Sequence, residues 1–214
     1  MPEPTVVAAT REFKAGLLAR EERQVREMTR RWLQIERSLQ DKIDLLTEEI
    51  SRLRNAGESI NQGKILQMWR YQELIVQVRA EVTRYEQWAA QRISREQSAH
   101  AEMGIEQATE QLRLQIVGSF NVLPVEAVRV MTGMAADGAP LFELMKARAL
   151  WPEAVDGLTR ALVNAVAQGW NPRKTALKMR DGLTDGLQKA LVIARSEQLR
   201  AYRWLWRLSI ARAA

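Results

Sequence analysis

Residues 161–202 read ALVNAVAQGWNPRKTALKMRDGLTDGLQKALVIARSEQLRAY, and this stretch mixes helix-forming runs with residues that end or start helices. Gly169 is the residue type that most readily adopts the left-handed conformation found just after a helix. Asn171 is a favoured N-cap, and Pro172 suits the first helical turn, where its missing N–H is not needed. The stretch therefore predicts a helix, a tight turn, and a new helix that begins at about Pro172.

The same reasoning predicts a second interruption further along. Asp181 and Gly182 are expected to end the helix near Arg180, and Thr184 is placed to cap the helix that follows. The C-terminal part of the chain is therefore predicted to be a small domain of short helices.

The first half of the chain has a different pattern, because its apolar residues recur mostly every three or four positions. The two seams are Leu18, Val25, Met28, Trp32, Ile35, Leu39, Ile43, Leu46, Ile50 and Leu53, and then Ile65, Met68, Ile75, Val78, Val82, Tyr85, Ala89 and Ile93. The stretch NAGESINQG, residues 55–63, has the composition of a turn. Two long helices that fold back on each other are expected, although the seams alone are equally consistent with pairing between chains.

These patterns predict an all-α protein, with a long antiparallel helical hairpin resembling a coiled coil and a small domain of short helices after it. The predicted divisions are a loose N-terminus over residues 1–10, the hairpin over 11–116 and the C-terminal domain over 117–214. No internal repeat or low-complexity tract is visible in the sequence.

Composition narrows the chemistry that the chain can perform. Hydrophobic residues make up 46% of the sequence, which is enough for a packed core, and cysteine is absent, which excludes disulfides and thiol chemistry. No stretch approaches the ~18 uncharged apolar residues that a membrane span needs. We expect a soluble protein that does not interact with membranes.

Motifs for catalysis or cofactor binding are weak. GWNPRKT, residues 169–175, ends in Lys-Thr, but a phosphate-binding loop needs glycine before that lysine and the chain has Arg173 there. His100 is the only histidine and is expected at the surface, without an identifiable catalytic partner. The sequence predicts no catalytic residue, no metal ligand and no cofactor.

Positive charge is concentrated towards the C-terminus of a chain whose net charge is +6. Such a distribution suggests an acidic partner, either DNA or an acidic protein surface, although basic stripes on helices are often only solvated. The candidate contacts are Arg173, Lys174, Lys178, Arg180, Lys189, Arg200, Arg203 and Arg207.

Three segments resemble the minor head proteins of tailed bacteriophages, the phage Mu F-like head morphogenesis family. AVAQGWNPRKTALKM, residues 165–179, is similar to a glycine-containing turn of that family. IARSEQLRAY, residues 193–202, is similar to its Ala-Arg-Thr-Glu signature, with Ser196 where threonine is usual. Residues 120–145 resemble the region that precedes them. The matching residues of the signature and turn are Gly169, Asn171, Pro172, Ala194, Arg195, Ser196 and Glu197.

This resemblance implies a non-enzymatic structural protein that acts in capsid assembly and in DNA packaging or ejection. The implied partners are the phage portal protein, other head proteins and DNA, with self-association through the long helices as a further interaction. The implied location is the virion head or the host cytoplasm. Arg195 and Glu197 then either fix helix packing through ion pairs, which is the favoured interpretation, or contact a partner.

The chain also differs from the family. Family members commonly continue beyond the signature helix into a region rich in Cys and His, whereas this sequence ends in WLWRLSIARAA. A truncated or frameshifted prophage copy is one interpretation of that difference. The alternative to the whole resemblance is a bacterial coiled-coil adaptor or DNA-binding protein that is unrelated to virions.

Overall fold

The computed structural model describes residues 6–115, 132–135, 137–147 and 150–213, and six α-helices account for most of these residues. The helices are α1 (Val6–Asn55), α2 (Gln62–Gln67), α3 (Trp69–Gln115), α4 (Leu141–Ala147), α5 (Leu150–Ala167) and α6 (Pro172–Ala213). The described ranges contain no β-strand, and their only β-type pairing is an isolated bridge between Met134 and Pro140. The prediction of an all-helical fold is confirmed.

Helix α1 begins at Val6, inside the stretch that was predicted to be loose, and ends where the sequence predicts it to end. Gly57 has φ of 83°, and the N–H of Glu58 reaches back to the carbonyl of Leu53 at 3.0 Å, which closes the end of the helix. The predicted turn over residues 55–63 leads into α2, whose N-cap Asn61 accepts a hydrogen bond from the N–H of Lys64 at 2.9 Å.

Helix α6 contradicts the predicted interruption at Asp181 and Gly182, because it runs unbroken from Pro172 to Ala213. Thr184 is not an N-cap, and its hydroxyl donates to the carbonyl of Asp181 within the helix. Gly182 lies so close to Gly157 of α5 that a Cβ atom on either glycine would overlap the backbone of the other. The glycine therefore permits close helix packing instead of ending the helix, and the prediction of a short helix from about Pro172 to Arg180 followed by a separate helix is wrong.

Contacts group the chain into two compact units. Unit 1 takes the described parts of Met1–Glu27, Trp88–Met145 and Leu191–Ala214, and unit 2 takes those of Met28–Gln87 and Lys146–Ala190. Each of α1, α3 and α6 contributes one segment to each unit. This grouping differs from the predicted division into residues 11–116 and 117–214, of which residues 116–131 lie outside the described ranges.

Unit 2 is built from segments of α1, α3 and α6 together with α2, α5 and the last two residues of α4. Its largest buried side chain is Trp32, whose ring meets that of Tyr85 edge to face at a centroid distance of 4.9 Å. The Trp32 ring also packs against Gly186 of α6, where a Cβ atom would lie 2.7 Å from it. The apolar seam of α1 is therefore covered by α6 as well as by α3.

Unit 1 is built from the remaining segments of α1, α3 and α6 together with most of α4. Ala101, Ala201 and Leu205 form an apolar cluster between α3 and α6. Gly104 allows a close approach there, since a Cβ atom on it would lie 2.8 Å from the carbonyl oxygen of Tyr202. Small residues thus set the spacing between these two helices.

The predicted seams are largely buried. On α1, seven of the ten seam residues are in the core, namely Met28, Trp32, Ile35, Leu39, Ile43, Leu46 and Ile50, whereas Leu18 and Val25 are exposed and Leu53 is half-buried. The described ranges include no helix with an apolar stretch sufficient to cross a lipid bilayer.

Candidate functional site

The turn between α5 and α6 has the local geometry that the sequence predicts. Gly169 has φ of 67°, and its N–H returns to the carbonyl of Val166 at 3.2 Å. The side chain of Asn171 accepts a hydrogen bond from the N–H of Lys174 at 2.9 Å, so it is the N-cap of α6. Pro172 is the first residue of that helix. The backbone conformation of the turn therefore accounts for the residue types at these three positions.

An aromatic and a cationic side chain meet beside this turn. The ammonium nitrogen of Lys174 lies 4.1 Å from the centroid of the Trp170 ring, a distance typical of a cation–π contact. Trp170 is half-buried, whereas Lys174 and its neighbour Arg173 are exposed. The cations of this turn therefore face solvent.

The signature residues lie on α6 in unit 1 and have different environments. Ala194 is buried, Ser196 is exposed, and Glu197 is only 7% exposed. Arg195 is exposed and forms an ion pair with Glu21 of α1 at 3.0 Å. Arg195 therefore links α6 to α1, which is a packing contact of the kind that the favoured interpretation expects.

Glu197 belongs to a polar cluster that we call the loop clamp, formed by Gln97, Glu197 and Arg200. Arg200 donates through Nε to Glu197 at 2.8 Å and through a second guanidinium nitrogen to the carbonyl of Met134. Gln97 donates to the same carbonyl at 3.1 Å and accepts from the N–H of Gly133 at 2.9 Å. The clamp therefore holds the backbone of residues 133–134 against α3 and α6.

Two of the three family-like segments meet in the loop clamp, because Met134 lies within residues 120–145 and Glu197 lies in the signature. The remaining part of that segment, up to residue 131, lies outside the described residues. Sequence reasoning missed Gln97, which is only 1% exposed. The sequence offers one clue to this burial: Gln97 occupies a position at which the neighbouring turns of α3 place apolar side chains.

The candidate basic residues divide between the two units, with five in unit 2 and three in unit 1. Several carry out intrachain roles, since Lys178 pairs with Asp181 at 3.1 Å and Lys189 pairs with Glu153 at 2.7 Å. Arg200 belongs to the loop clamp. Arg173, Arg203 and Arg207 are exposed and form no ion pair within the part of the chain that the structure describes. The Arg180 side chain is half-buried and lies near Glu36.

His100 is buried, which corrects the expectation of a surface histidine. It is 2% exposed, and its Nδ1 lies 2.7 Å from the backbone carbonyl of Glu96. Burial lowers the pKa of His100, because the charged imidazolium loses its hydration. The side chain faces the Glu96 carboxylate at 3.9 Å and is part of the packing of α3.

Within the described ranges, no three His, Cys, Asp or Glu side chains converge closely enough to hold a metal ion.

Substitution of Arg200 by methionine tests the role of the loop clamp. The change removes the donor to Met134 and leaves the nearly buried Glu197 carboxylate without its cation. We expect a loss of about 1 to 3 kcal/mol in the free energy of unfolding. Backbone amides over residues 132–140 should also exchange with deuterium measurably faster, as read by mass spectrometry of the corresponding peptide.

Arg203→Met is the matched control, since Arg203 is exposed and lies one turn further along α6. Its effect should stay within about 0.5 kcal/mol, with unchanged exchange at residues 132–140. Equal effects of the two variants would show that the clamp does not hold the loop.

No protein-family model matches the chain, and neither a curated protein nor a solved structure matches it.

Proposed function

We propose that this chain is a non-enzymatic structural protein of a tailed-phage head, associated with the portal and acting in capsid assembly and in DNA packaging or ejection. The observation that carries the proposal is the stretch over residues 161–202, with its capped turn and its IARSEQLRAY signature. Its proposed location is the virion head or the host cytoplasm during assembly.

The contacts that the signature residues make within the chain support an architectural role. Arg195 pairs with Glu21, and Glu197 is bound by Arg200 and faces Gln97. Side chains that are committed to intrachain contacts of this kind position helices and loops, and they are not free to activate a nucleophile or transfer a proton to a substrate.

The proposal also includes an antiparallel hairpin of α1 and α3 that serves as a protein-docking element. Ion pairs between α1 and α3 support an antiparallel arrangement within each unit, because a residue with a higher number on α1 pairs with a residue of lower number on α3. In unit 2, Lys42 pairs with Glu73 and Glu49 pairs with Arg70. In unit 1, Arg20 pairs with Glu96 and Glu27 pairs with Arg92. The proposed partners are the portal protein and other head proteins.

Co-expression with a portal protein encoded beside this chain tests the proposal. We expect the two proteins to co-purify through an affinity tag on the portal oligomer and to remain together in size-exclusion chromatography. A portal oligomer from an unrelated phage is the matched control and should not retain the chain. Absence of a portal gene in the neighbourhood, or separation of the two proteins, would contradict the proposal.

A second candidate is a bacterial coiled-coil adaptor or DNA-binding protein unrelated to virions. The exposed and unpaired Arg173, Arg203 and Arg207 favour it, because such side chains are available to phosphate groups. This function predicts binding of duplex DNA by the isolated protein, with an affinity that falls steeply as salt rises. Electrophoretic mobility shifts at several salt concentrations would distinguish the two candidates.

A further inference from the structure

An open groove of about 830 Å³ lies between α1 and the N-terminal half of α6 in unit 2. Its walls carry opposite charges. Asp44 and Glu48 lie four residues apart and share one face of α1, while Arg173 and Lys174 line the α6 side. Leu177 also lines the groove, one turn after Arg173 and Lys174 on the α6 side, and is 46% exposed. The groove therefore has an acidic wall on α1 and a basic wall on α6, and the basic wall also carries an exposed apolar residue.

The two walls do not neutralise each other. Asp44 accepts a hydrogen bond from Gln40 of its own helix at 2.9 Å, and Lys174 lies over the Trp170 ring. Among the described residues, neither Asp44 nor Glu48 forms an ion pair with a basic residue, and Arg173 pairs with no carboxylate. Each wall thus presents uncompensated charge to whatever enters the groove.

We propose that this groove is an interface between two copies of the chain. A surface with parallel acidic and basic walls is complementary to itself when a two-fold axis runs along the groove, because that rotation places each wall opposite the other wall of the second copy. Glu48 then faces the partner's Arg173, and Asp44 faces the partner's Lys174. Leu177, on the basic wall, then lies against the partner's α1 wall, where it loses its exposure to water.

Charge complementarity decides in favour of a second copy over another class of partner. DNA would be attracted to the basic wall and repelled by Asp44 and Glu48 beside it, and a uniformly basic protein would be repelled by the opposite wall. A second copy of the chain supplies both charges. Its net charge of +6 disfavours association at long range, so the attraction is local to the groove.

A charge-swap experiment tests the proposal on the full chain. Sedimentation equilibrium of the wild-type protein over a dilution series from roughly 1 mM should show a monomer–dimer equilibrium, which is the range where weak specific interfaces are populated. Variant D44K/E48K makes both walls basic, and variant R173E/K174E makes both walls acidic. Each variant alone should dimerise at least about tenfold more weakly, since like charges then face each other.

Mixing the two variants should restore the dimer as a heterodimer, because a basic groove now faces an acidic one. Each double substitution shifts the net charge by four units from +6, so both variants remain positively charged and overall attraction cannot explain the restoration. Arg37→Glu reverses an exposed charge of α1 outside the groove and should leave the dimer unchanged. Circular dichroism identifies any variant that fails to fold.

A monomeric wild type throughout the series would overturn the proposal. It would also be overturned if either D44K/E48K or R173E/K174E dimerised as tightly as the wild type. The same holds if the two variants fold but do not associate when they are mixed. The experiment uses no portal protein and no DNA, so its outcome does not depend on the proposed function.

Discussion

Replacement of Gly157 by alanine should lower the free energy of unfolding by about 3 kcal/mol, even though alanine is normally the better helix former. A Cβ atom on Gly157 would overlap the carbonyl oxygen of Gly182 and would lie 2.9 Å from the Asp185 carboxylate. Because the obstacle is backbone, no side-chain rotation can relieve it, and α5 and α6 must separate. Urea unfolding followed by circular dichroism measures the loss.

The reciprocal contact gives a second test of the same packing. A Cβ atom on Gly182 would overlap the carbonyl of Gly157, so Gly182→Ala should cost a similar amount. Since either substitution already separates the helices, the double variant should lose less than the sum of the two single losses. Simple additivity would argue against a shared contact.

Gly63→Ala is the matched control, because Gly63 lies in helix α2 and its Cβ atom would meet only the Asn61 side chain at 3.5 Å. There the better helix propensity of alanine should leave stability unchanged or raise it by about 0.5 to 1 kcal/mol. If Gly157→Ala changed the free energy of unfolding no more than Gly63→Ala does, the close approach of α5 and α6 at Gly157 would be contradicted.

Gly182 shows why part of the fold could be predicted from the sequence and part could not. The turn at Gly169 is set by neighbouring residues, because Asn171 and Pro172 supply a cap and a compatible first turn, and the local pattern was sufficient. Gly182 follows an aspartate in a similar local pattern, but its role depends on Gly157, which lies on another helix. A contact between distant residues leaves no mark in the local sequence.

The same limit applies to the polar residues of unit 1. His100 and Gln97 look like surface residues in a helix rich in charged side chains, yet both are buried where α3 packs in its unit. The loop clamp joins residues 97, 134 and 197, so its existence could not be predicted from spacing. The signature at 193–202 identified Glu197 as notable, but not the loop that it helps to hold.

Charge was the least predictable property of the candidate site. The sequence shows how many cations the C-terminal part carries, but it does not show that Lys178 and Lys189 are paired within the chain. Nor does it show that Asp44 and Glu48 lie across a groove from Arg173. Ion pairing depends on which helices become neighbours, and that is decided by the packing of the core.

Glu86 is expected to make unit 2 less stable as the pH rises towards neutrality. It is only 2% exposed, one carboxylate oxygen has no hydrogen-bond partner among the described residues, and the N–H of Leu150 at the start of α5 donates to the carboxyl group. Burial raises the pKa of Glu86 from 4.5 to about 7, against smaller opposing effects of that N–H and of Lys146.

The direction of the pH dependence follows from proton binding. Between pH 4.5 and about 7, the unfolded chain loses the Glu86 proton while the folded chain keeps it, so the folded state binds more protons and stability falls as the pH rises. Below pH 4.5 both states are protonated and the effect vanishes. Above pH 7 both states are ionised, and the folded protein retains the full cost of a buried carboxylate.

Replacement of Glu86 by glutamine should therefore stabilise the protein by about 2 to 3 kcal/mol at pH 8 and by almost nothing at pH 4, since each pKa unit corresponds to ~1.4 kcal/mol. Glutamine keeps an acceptor for the N–H of Leu150 and removes the charge. Thermal and urea unfolding at pH 4, 6 and 8 would measure the difference between variant and wild type. Glu102→Gln, on the exposed face of the same helix, should show no such trend. A stabilisation by Glu86→Gln that is equal at pH 4 and pH 8 would mean that repacking, and not the buried charge, is responsible.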